Sequence, residues 1–347
     1  MLKKILITGG AGFIGTNTAA YHLKKGDKVI VYDNLSRAGA KQNLNWLKSR
    51  NDDFIFIKGD IKNYKKLLET FKKYKPDLIY HLAAQTTMVT SVENPREDFE
   101  INALGTFNTL EAMRKTKSKA VAVYSSTNKV MGDLAYIPII EKEKRYDYKD
   151  IKGVDENFPL NFHGPYGCSK GCGDQYFLDY ARIFGLNTIV FRQSGIYGPH
   201  QFGIEEQGWL AWFCNALLFD KPVTIFGNGK QVRDVLYIDD LLRAFDLAVM
   251  NIKKTRGKPY NIGGGPKSSL SIWELFAILE KLASKKFNFS FGSWRPGDQK
   301  IYISDISKAK KDFNWLPKVS PKEGIKKLYD WISQNKNLIQ QAKVFKR

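Results

Sequence analysis

Residues 3–15 read KKILITGGAGFIG, an apolar run followed by a cluster of glycines, and a helical pattern continues from there. A strand, a glycine turn and a helix, in that order, form the context in which such a glycine motif binds a dinucleotide. Gly9 permits the tight turn, Gly12 lets the backbone approach a pyrophosphate at the helix N-terminus, and Gly15 allows close packing of the helix on the strand. We therefore predict a dinucleotide site here. The same turn contributes two further cofactor-side residues, Phe13 and Ile14.

The next β-branched run, residues 28–33, ends at Asp33. A carboxylate at this strand end binds the adenosine ribose hydroxyls and repels a 2′-phosphate, which favours NAD over NADP. Arg37 favours the opposite choice, because a guanidinium nearby accepts that phosphate. The position of Asp33 at the strand end gives it the greater weight, so we predict NAD.

Short β-branched runs alternate with helical patterns through the first two-thirds of the chain, which predicts an α/β fold with a doubly wound parallel sheet of Rossmann type. Its strands are predicted at residues 3–8, 28–33, 54–57, 78–82, 120–125 and 188–192. Residues 133–161 break the rhythm and are predicted to form a long loop or flap.

A smaller α+β substrate-binding lobe is expected after about residue 194. Its predicted elements are a helix at 208–219, a strand at 223–226, a strand and helix within 234–250, and helices near 270–283 and 321–334. We assign residues 1–193 and about 231–262 to the NAD-binding domain, and about 194–230 and 263–347 to the second lobe. The basic, polar residues 335–347 are expected to fray.

Composition excludes several classes of protein. With 55 Lys and Arg against 35 Asp and Glu, the net charge is +20, but the lysines are spread over helix faces such as residues 64–74. That distribution indicates solvated helix surfaces rather than a nucleic-acid footprint. No apolar run approaches the roughly 18 residues that a membrane span needs. The three cysteines, Cys168, Cys172 and Cys214, are expected to be reduced thiols of a cytoplasmic enzyme, and without a partnering histidine we predict no metal site.

Tyr166 and Lys170 form a Tyr-x-x-x-Lys pair that follows Gly164-Pro165 at the head of a long helical pattern. Residues four apart on a helix share one face. Lys170 is then placed to lower the pKa of the tyrosine from about 10 and to hold the nicotinamide ribose. We predict that both residues are catalytic and that both contact the cofactor.

Several segments together resemble the extended short-chain dehydrogenase/reductase superfamily. They are the G-x-x-G-x-x-G spacing of Gly9, Gly12 and Gly15, the segment Gly59-Asp60-Ile61, the segment His81-Leu82-Ala83-Ala84-Gln85, Asn102, and the Tyr166–Lys170 pair. The resemblance implies a third catalytic hydroxyl at Thr127, whereas His81 is better explained as a core histidine than as a catalytic one. It also implies further cofactor-side residues: Asn34, Ser36, Asp60, Ile61, Leu82, Ala83, Ala84, Gln85, Asn102 and Ser125.

The residues after Thr127 discriminate within the superfamily. Its nucleotide-sugar dehydratases carry an acidic pair there, and this chain has Asn128-Lys129, which disfavours a 4,6-dehydratase. The resemblance implies contacts to the diphosphate and ribose of a nucleotide sugar from Gln231, Arg233, Arg295 and Asp298, and planar guanidinium groups suit phosphate. The resemblance also implies contacts to the sugar from Gln85, Thr127, Asn128, Gln201 and Gln207.

The strongest similarity is to superfamily members that epimerise CDP-hexoses at C2. It is carried by residues 33–37, 125–130, 163–171, 201–209 and 227–236. Met131 and Gly195 depart from that pattern close to the sugar, so the hexose stays open, as does a sugar contact from Glu205 or Glu206. Two other functions remain: a UDP-hexose 4-epimerase on the same scaffold, and a non-catalytic dinucleotide-sensing or RNA-binding protein.

Apolar residues at three- and four-residue spacing continue along the helix that Tyr166 heads. They are Phe177, Tyr180, Ala181 and Phe184. In the superfamily this helix and the one near residues 99–114 form a subunit interface. We therefore predict a homodimer or homotetramer.

Overall fold

The computed structural model describes residues 2–50, 53–295 and 298–345. Its strands in chain order are β1 Lys4–Thr8, β2 Lys28–Asp33, β3 Phe54–Lys58, β4 Leu78–His81, β5 Val121–Thr127, β6 Ile139–Glu141, β7 Tyr146–Tyr148, β8 Asn187–Gln193, β9 Gly195–Tyr197, β10 Val223–Phe226, β11 Val232–Tyr237, β12 Lys258–Ile262, β13 Ser269–Ser271, β14 Phe289–Gly292 and β15 Ile301–Tyr302.

The α-helices are α1 Phe13–Lys24, α2 Ala40–Ser49, α3 Tyr64–Tyr74, α4 Met88–Glu93, α5 Pro95–Phe99, α6 Gly105–Lys115, α7 Gly164–Ile183, α8 Trp209–Leu218, α9 Ile238–Met250, α10 Ile252–Thr255, α11 Ile272–Ala283, α12 Ser307–Phe313, α13 Pro321–Gln334 and α14 Lys336–Gln341. A π-helical turn at Glu100–Leu104 joins α5 to α6, and 3₁₀ turns lie at Asn128–Met131 and Pro266–Ser268.

Among the described residues, seven parallel strands form the main sheet in the order β12-β8-β5-β4-β1-β2-β3. Successive side chains of a strand point to opposite faces. Ile5 and Ile7 of β1 accordingly join the hydrophobic core on one face, and Leu6 joins the core on the other. Helices cover both faces, which confirms the predicted α/β class with a Rossmann-type sheet.

A smaller set of strands lies apart from this sheet. Strand β11 pairs with β13 in antiparallel fashion and with β15 and β9 in parallel, and β10 pairs with β14. Residues 232–237 therefore belong to the small sheet, whereas α9, which follows them, contacts α1 of the main layer. The predicted two-lobe division remains a prediction.

Residues 133–161 are a long connection with little regular structure, as predicted for a long loop, but they do not form a free flap. They contain the antiparallel hairpin β6–β7, whose Tyr146 backbone N–H donates to the carbonyl of Lys230 at 2.9 Å. Val154 is buried and bonds through its backbone to both Ile303 and Asp305. This segment joins the hydrophobic core around the small sheet, so it holds that sheet against the rest of the chain.

The expected fraying of residues 335–347 is wrong over the part that the structure describes, while Lys346 and Arg347 lie outside the described residues. Helix α14 is followed by Ala342 and Val344, and both are buried in the main core together with Ile339. Within the described ranges, no helix has both the length and the apolar character required to cross a membrane.

Candidate active site

The glycine turn has the conformation that a dinucleotide site requires. Gly9 has φ +69°, and a Cβ there would lie 2.7 Å from the backbone nitrogen of Ala83. A Cβ on Gly15 would overlap with the carbonyl oxygen of Gly9, so only glycine lets α1 approach β1 this closely. Gly12 is the N-cap of α1 and has no side chain above the helix N-terminus. The residues therefore fit a pyrophosphate held by backbone N–H groups.

A cavity of about 340 Å³ extends from this turn along the carboxyl edge of the main sheet. Most of the predicted cofactor-side and catalytic residues line it, and so do three of the five predicted sugar-side residues, Thr127, Gln201 and Gln207. They are Gly9, Gly12, Phe13, Ile14, Gly15, Asp33, Asn34, Ser36, Arg37, Asp60, Ile61, Leu82, Ala83, Ala84, Ser125, Thr127, Tyr166, Lys170, Gln201 and Gln207.

Asp33 lines the cavity at the end of β2, and its side chain is 8% exposed. One carboxylate oxygen accepts from the backbone N–H of Ala11 at 3.0 Å, and the other accepts from that of Leu35 at 2.7 Å. Burial raises the pKa of Asp33, and these two donors oppose the rise. The carboxylate thus holds the glycine turn in place while facing the cavity.

Arg37 extends from the loop after β2 toward the catalytic helix. Its guanidinium donates to the side-chain oxygen of Gln207. The charges that act on it are those of Tyr166 and Glu206, while burial lowers its pKa. Arg37 therefore lies on the reaction side of the cavity.

Tyr166 stands in the first turn of α7, and Lys170 follows one helical turn later. The Thr127 hydroxyl at the end of β5 bonds to Tyr166, so the three predicted catalytic residues meet at one place. Burial raises the pKa of Tyr166 to about 12, and the Thr127 bond and the charge of Arg37 oppose that rise. Burial lowers the pKa of Lys170 to about 7. The charges that act on Tyr166 here are those of Asp98, which raises its pKa, and Arg37, which lowers it. That Lys170 lowers the pKa of Tyr166 stays a prediction.

The ammonium group of Lys170 donates to the carbonyl oxygen of Ser125 and lies 4.3 Å from the ring centroid of Tyr124. His81 is fully buried on the neighbouring strand and hydrogen-bonds Thr8 at 2.8 Å and Thr106 at 3.0 Å. Burial lowers the pKa of His81 to about 3, so it is a neutral core histidine.

Gln85 and Asn102 do not line the cavity but are bonded to each other behind it. The Gln85 N–H donates to Oδ1 of Asn102 at 2.9 Å, and Nδ2 of Asn102 donates to the Gln85 carbonyl at 3.1 Å. Asn102 therefore supports the cofactor-lining segment 82–84 rather than facing the cavity.

The remaining predicted substrate residues form a second group on the small-sheet side. Asn128 donates to the Gln299 side chain at 3.0 Å. Asp298 lies 3.6 Å from Arg233 and 3.8 Å from Lys129.

The Arg295 guanidinium lies 3.7 Å from the ring centroid of Phe226, whose carbonyl accepts from Gln231 at 2.7 Å. Pro296 and Gly297, between the last two motif residues, lie outside the described residues.

Sequence reasoning missed several residues of the cavity wall: Gln193, Ser194, His200, Phe202 and Trp209. Gln193 pairs in register with Thr127 on the adjacent strand. Its side-chain oxygen accepts from Ser125 at 3.2 Å, and its Nε2 is buried without a protein partner. The signal was available, because polar residues at the carboxyl ends of parallel strands line the site in this fold. In the described part of the chain, no group of three or more His, Cys, Asp or Glu is placed to hold a metal ion.

This sheet and this catalytic geometry are those of the extended short-chain dehydrogenase/reductase class of enzymes. Within that class, the chain belongs to the GDP-mannose 4,6 dehydratase family, whose model matches residues 6–328. The CDP-paratose 2-epimerase of Salmonella typhi is 49% identical over 336 residues, which cover 95% of this chain and 99% of that enzyme.

Two solved structures are similar along nearly the whole chain. The UDP-glucose 4-epimerase of Thermotoga maritima, determined with UDP-glucose, is 32% identical with a TM-score of 0.83, covering 96% of this chain and 99% of its own. The UDP-glucose 4-epimerase of Thermus thermophilus, in complex with NAD, is 29% identical with a TM-score of 0.80, covering 94% and 98%. The predicted cofactor, NAD, is thereby confirmed, and the chain is an enzyme of nucleotide-sugar metabolism.

Proposed function

We propose that this enzyme epimerises a CDP-hexose at C2, converting CDP-paratose into CDP-tyvelose through a transient 2-keto sugar. The observation that carries the proposal is the 49% identity, over nearly the full length of both chains, to an enzyme with that activity. Asn128-Lys129 supports it, because an acidic pair for eliminating water is missing at that position. The non-catalytic alternative is disfavoured, since Tyr166 and Lys170 are both present and meet Thr127.

Bound NAD supplies a hydride acceptor that can also return the hydride. The protein's part is to move one proton and to hold the sugar. Tyr166 takes the proton of the C2 hydroxyl and gives it back after the sugar has turned. The Thr127 hydroxyl bonds to the same oxygen and strengthens that bond as charge develops there. Lys170 holds the nicotinamide ribose, and its positive charge favours the phenolate of Tyr166.

The small-sheet group suits the diphosphate of the substrate. Arg233 and Lys129 both lie beside the carboxylate of Asp298. Arg295 lies on the face of the Phe226 ring, close to Gln231. Arginine pairs bidentately with phosphate oxygens, which suits Arg233 and Arg295 to the two phosphates. Gln201 and Gln207, in the cavity, then contact the sugar.

A UDP-hexose 4-epimerase is the second candidate, favoured by the similarity to the Thermotoga maritima enzyme. The same three catalytic residues would serve it, so only the sugar distinguishes the two reactions. The purified protein should therefore be incubated with CDP-paratose and, in parallel, with UDP-galactose, and the products read by NMR. We expect CDP-tyvelose from the first reaction and no conversion in the second.

Isotopes test the mechanism in the same assay. If hydride leaves and returns to the same carbon, the product formed in D₂O carries no deuterium at C2, and substrate deuterated at C2 keeps its label. Tyr166→Phe should lose most of the rate, since no phenolate can accept the proton. Solvent deuterium at C2 would refute the hydride route, and conversion of UDP-galactose alone would establish the 4-epimerase instead.

We also propose that the enzyme works as a homodimer or homotetramer. The residues predicted to form the interface are only partly suited to it, because Phe177, Tyr180 and Ala181 are buried inside the chain and only Phe184 is exposed. Other large apolar side chains on α4, the π-helical turn, α7 and their borders are exposed instead: Val89, Val92, Phe99, Leu104, Tyr176 and Ile183. An apolar face of this extent is typical of a subunit contact.

A further inference from the structure

The 3₁₀ turn Asn128–Met131 lies directly against the catalytic residues. The backbone N–H of Lys129 donates to the Thr127 hydroxyl at 3.2 Å. The carbonyl oxygen of Lys129 lies 3.4 Å from the place of a Cβ on Gly167, so the turn packs on the residue next to Tyr166. The main chain of Lys129 is therefore in contact with both Thr127 and the start of α7.

The side chain of Lys129 extends from this turn to the small-sheet group. Its ammonium nitrogen lies 3.8 Å from Oδ1 of Asp298, and the Arg233 guanidinium lies 3.6 Å from the same oxygen. The side chains of Lys129 and Arg233 are 16% and 18% exposed, so both cations are largely removed from water. Lys129 therefore connects the catalytic end of β5 with the residues proposed to bind the diphosphate.

Gln299, the neighbour of Asp298, fixes this arrangement. It is fully buried, its side-chain oxygen accepts from Asn128 at 3.0 Å, and its Nε2 donates to the carbonyl of Gly132 at 2.6 Å. Strand β15 follows it and pairs in parallel with β11, the strand that carries Arg233. The 3₁₀ turn and Arg233 are thus held together by contacts other than the ion pairs.

Two cations that lie side by side in a partly buried place favour the binding of an anion. Burial and the charge of Arg233 lower the pKa of Lys129 to about 8, while Asp298 and Asp133 oppose the fall. A phosphate oxygen at hydrogen-bond distance would stabilise the ammonium form of Lys129. Lysine binds phosphate as a point charge and arginine binds it through a planar fork, so the two side chains can share one phosphate.

The place of a phosphate site relative to the catalytic hydroxyls determines which sugar carbon they meet. In a nucleotide sugar the anomeric carbon carries the phosphate. C2 is the ring carbon next to the anomeric carbon, whereas C4 lies across the ring from it. An enzyme that acts at C2 must therefore bind the sugar-side phosphate close to its catalytic hydroxyls, and the contact with Thr127 places Lys129 there.

We propose that Lys129 is a substrate-binding residue which, together with Arg233, holds the phosphate attached to the sugar and thereby presents C2 rather than C4 to Tyr166. The inference rests on the proposed function, because it names a residue that orients the CDP-hexose. It also accounts for a lysine where the nucleotide-sugar dehydratases of the superfamily carry an acidic residue. A carboxylate at this position would repel the phosphate.

The first test compares CDP with CMP, which lacks the second phosphate, in calorimetric titrations of the NAD-loaded enzyme. We expect CDP to bind more tightly than CMP to the unaltered protein. In Lys129→Met the dissociation constant of CDP should rise by about tenfold or more, whereas that of CMP should change by less than about twofold. Lys253→Met is the matched control, because it removes the charge of an exposed lysine on α10 and should leave both constants unchanged.

An unchanged dissociation constant of CDP in Lys129→Met, or an equal rise for CMP, would overturn the proposal. Retained NAD reports that a variant has folded, and if Lys129→Met fails to fold, Lys129→Gln removes the same charge and keeps a polar side chain. The comparison is repeated with UDP and UMP, because a phosphate contact does not depend on the base. If the substrate proves to be a UDP-hexose, the proposed function fails while the phosphate result stays readable.

The second test uses CDP-paratose, which has hydroxyl groups at both C2 and C4, so one substrate reports on both carbons. The products are identified by NMR. We expect the unaltered enzyme to form only the C2 epimer. In Lys129→Met the rate at C2 should fall and the C4 epimer should become a measurable share of the product. A product composition equal to that of the unaltered enzyme would contradict the role of Lys129 in selecting C2.

Discussion

Asp33 and Arg37 are four residues apart, yet their side chains contact different parts of the molecule. Asp33 accepts from the glycine turn, and Arg37 donates to Gln207 beside the charge of Tyr166. From the sequence, Asp33 favours NAD and Arg37 favours NADP. In the structure Arg37 points toward the reaction side of the cavity, so only Asp33 is left to act on the adenosine ribose.

We predict that Asp33→Asn reduces the preference for NAD over NADP by at least about tenfold, because a neutral amide no longer repels the 2′-phosphate. Arg37→Met is the matched control and should leave this preference unchanged. The measurement is the dissociation constant of each dinucleotide, together with the cofactor that the purified protein carries. A loss of NADP binding in Arg37→Met would instead show that the Arg37 guanidinium contacts the 2′-phosphate.

The C-terminal segment, at the scale of an element, shows how local composition can mislead. Residues 335–347 are polar and basic on average, which is typical of a frayed end. Three of them point inward at helical and turn spacing, namely Ile339, Ala342 and Val344. Phe345 adds ring contacts to Trp212 at 5.6 Å and to Phe219 at 5.3 Å. The segment therefore closes the core beside α8.

Ile339→Ala should lower the free energy of unfolding by about 2–4 kcal/mol, the usual cost of deleting a fully buried aliphatic side chain. Ile339 has 0% exposure, whereas its neighbour Gln340 is exposed. Gln340→Ala should change the stability by less than about 0.5 kcal/mol. Urea unfolding of both variants measures the difference, and equal stabilities would mean that the segment is detached in solution.

The hairpin β6–β7 is likewise held by contacts that local composition does not reveal. Its short strands have no clear period in the sequence, and they form because Tyr146 bonds to Lys230 and to the Asn228 side chain, at 2.7 Å. Both partners lie more than 80 residues away, beside Gln231 and Arg233. A segment predicted as a long loop or flap thus anchors the loop proposed to hold the diphosphate.

The apolar residues exposed on α4, the π-helical turn, α7 and their borders bear on how whole molecules assemble. Ile183 at the end of α7 and Val92 on α4 are 63% and 66% exposed. Water contact with so much apolar surface is unfavourable, and a second copy of the chain would remove it.

We predict a sedimentation mass of two or four times the chain mass of 39.7 kDa. Ile183→Asp should shift the enzyme toward the monomer, since it would bury an unpaired charge at the interface. Met250→Asp, at an exposed apolar residue of α9, is the control and should leave the mass unchanged. A mass near that of one chain for the unaltered protein at micromolar concentration would contradict the assembly.

The resemblance to the superfamily supplied Thr127, and the sequence by itself predicted the Rossmann sheet, the glycine turn, Asp33 and the Tyr166–Lys170 pair. These depend on local patterns: strand alternation, glycine where a Cβ would collide, and two residues one helical turn apart. The tertiary structure decided the partners of Arg37, the anchoring of residues 133–161 and the burial of the C-terminal segment. Each of these depends on contacts between residues far apart in the chain, whose energies arise from burial and from charges brought together only by folding.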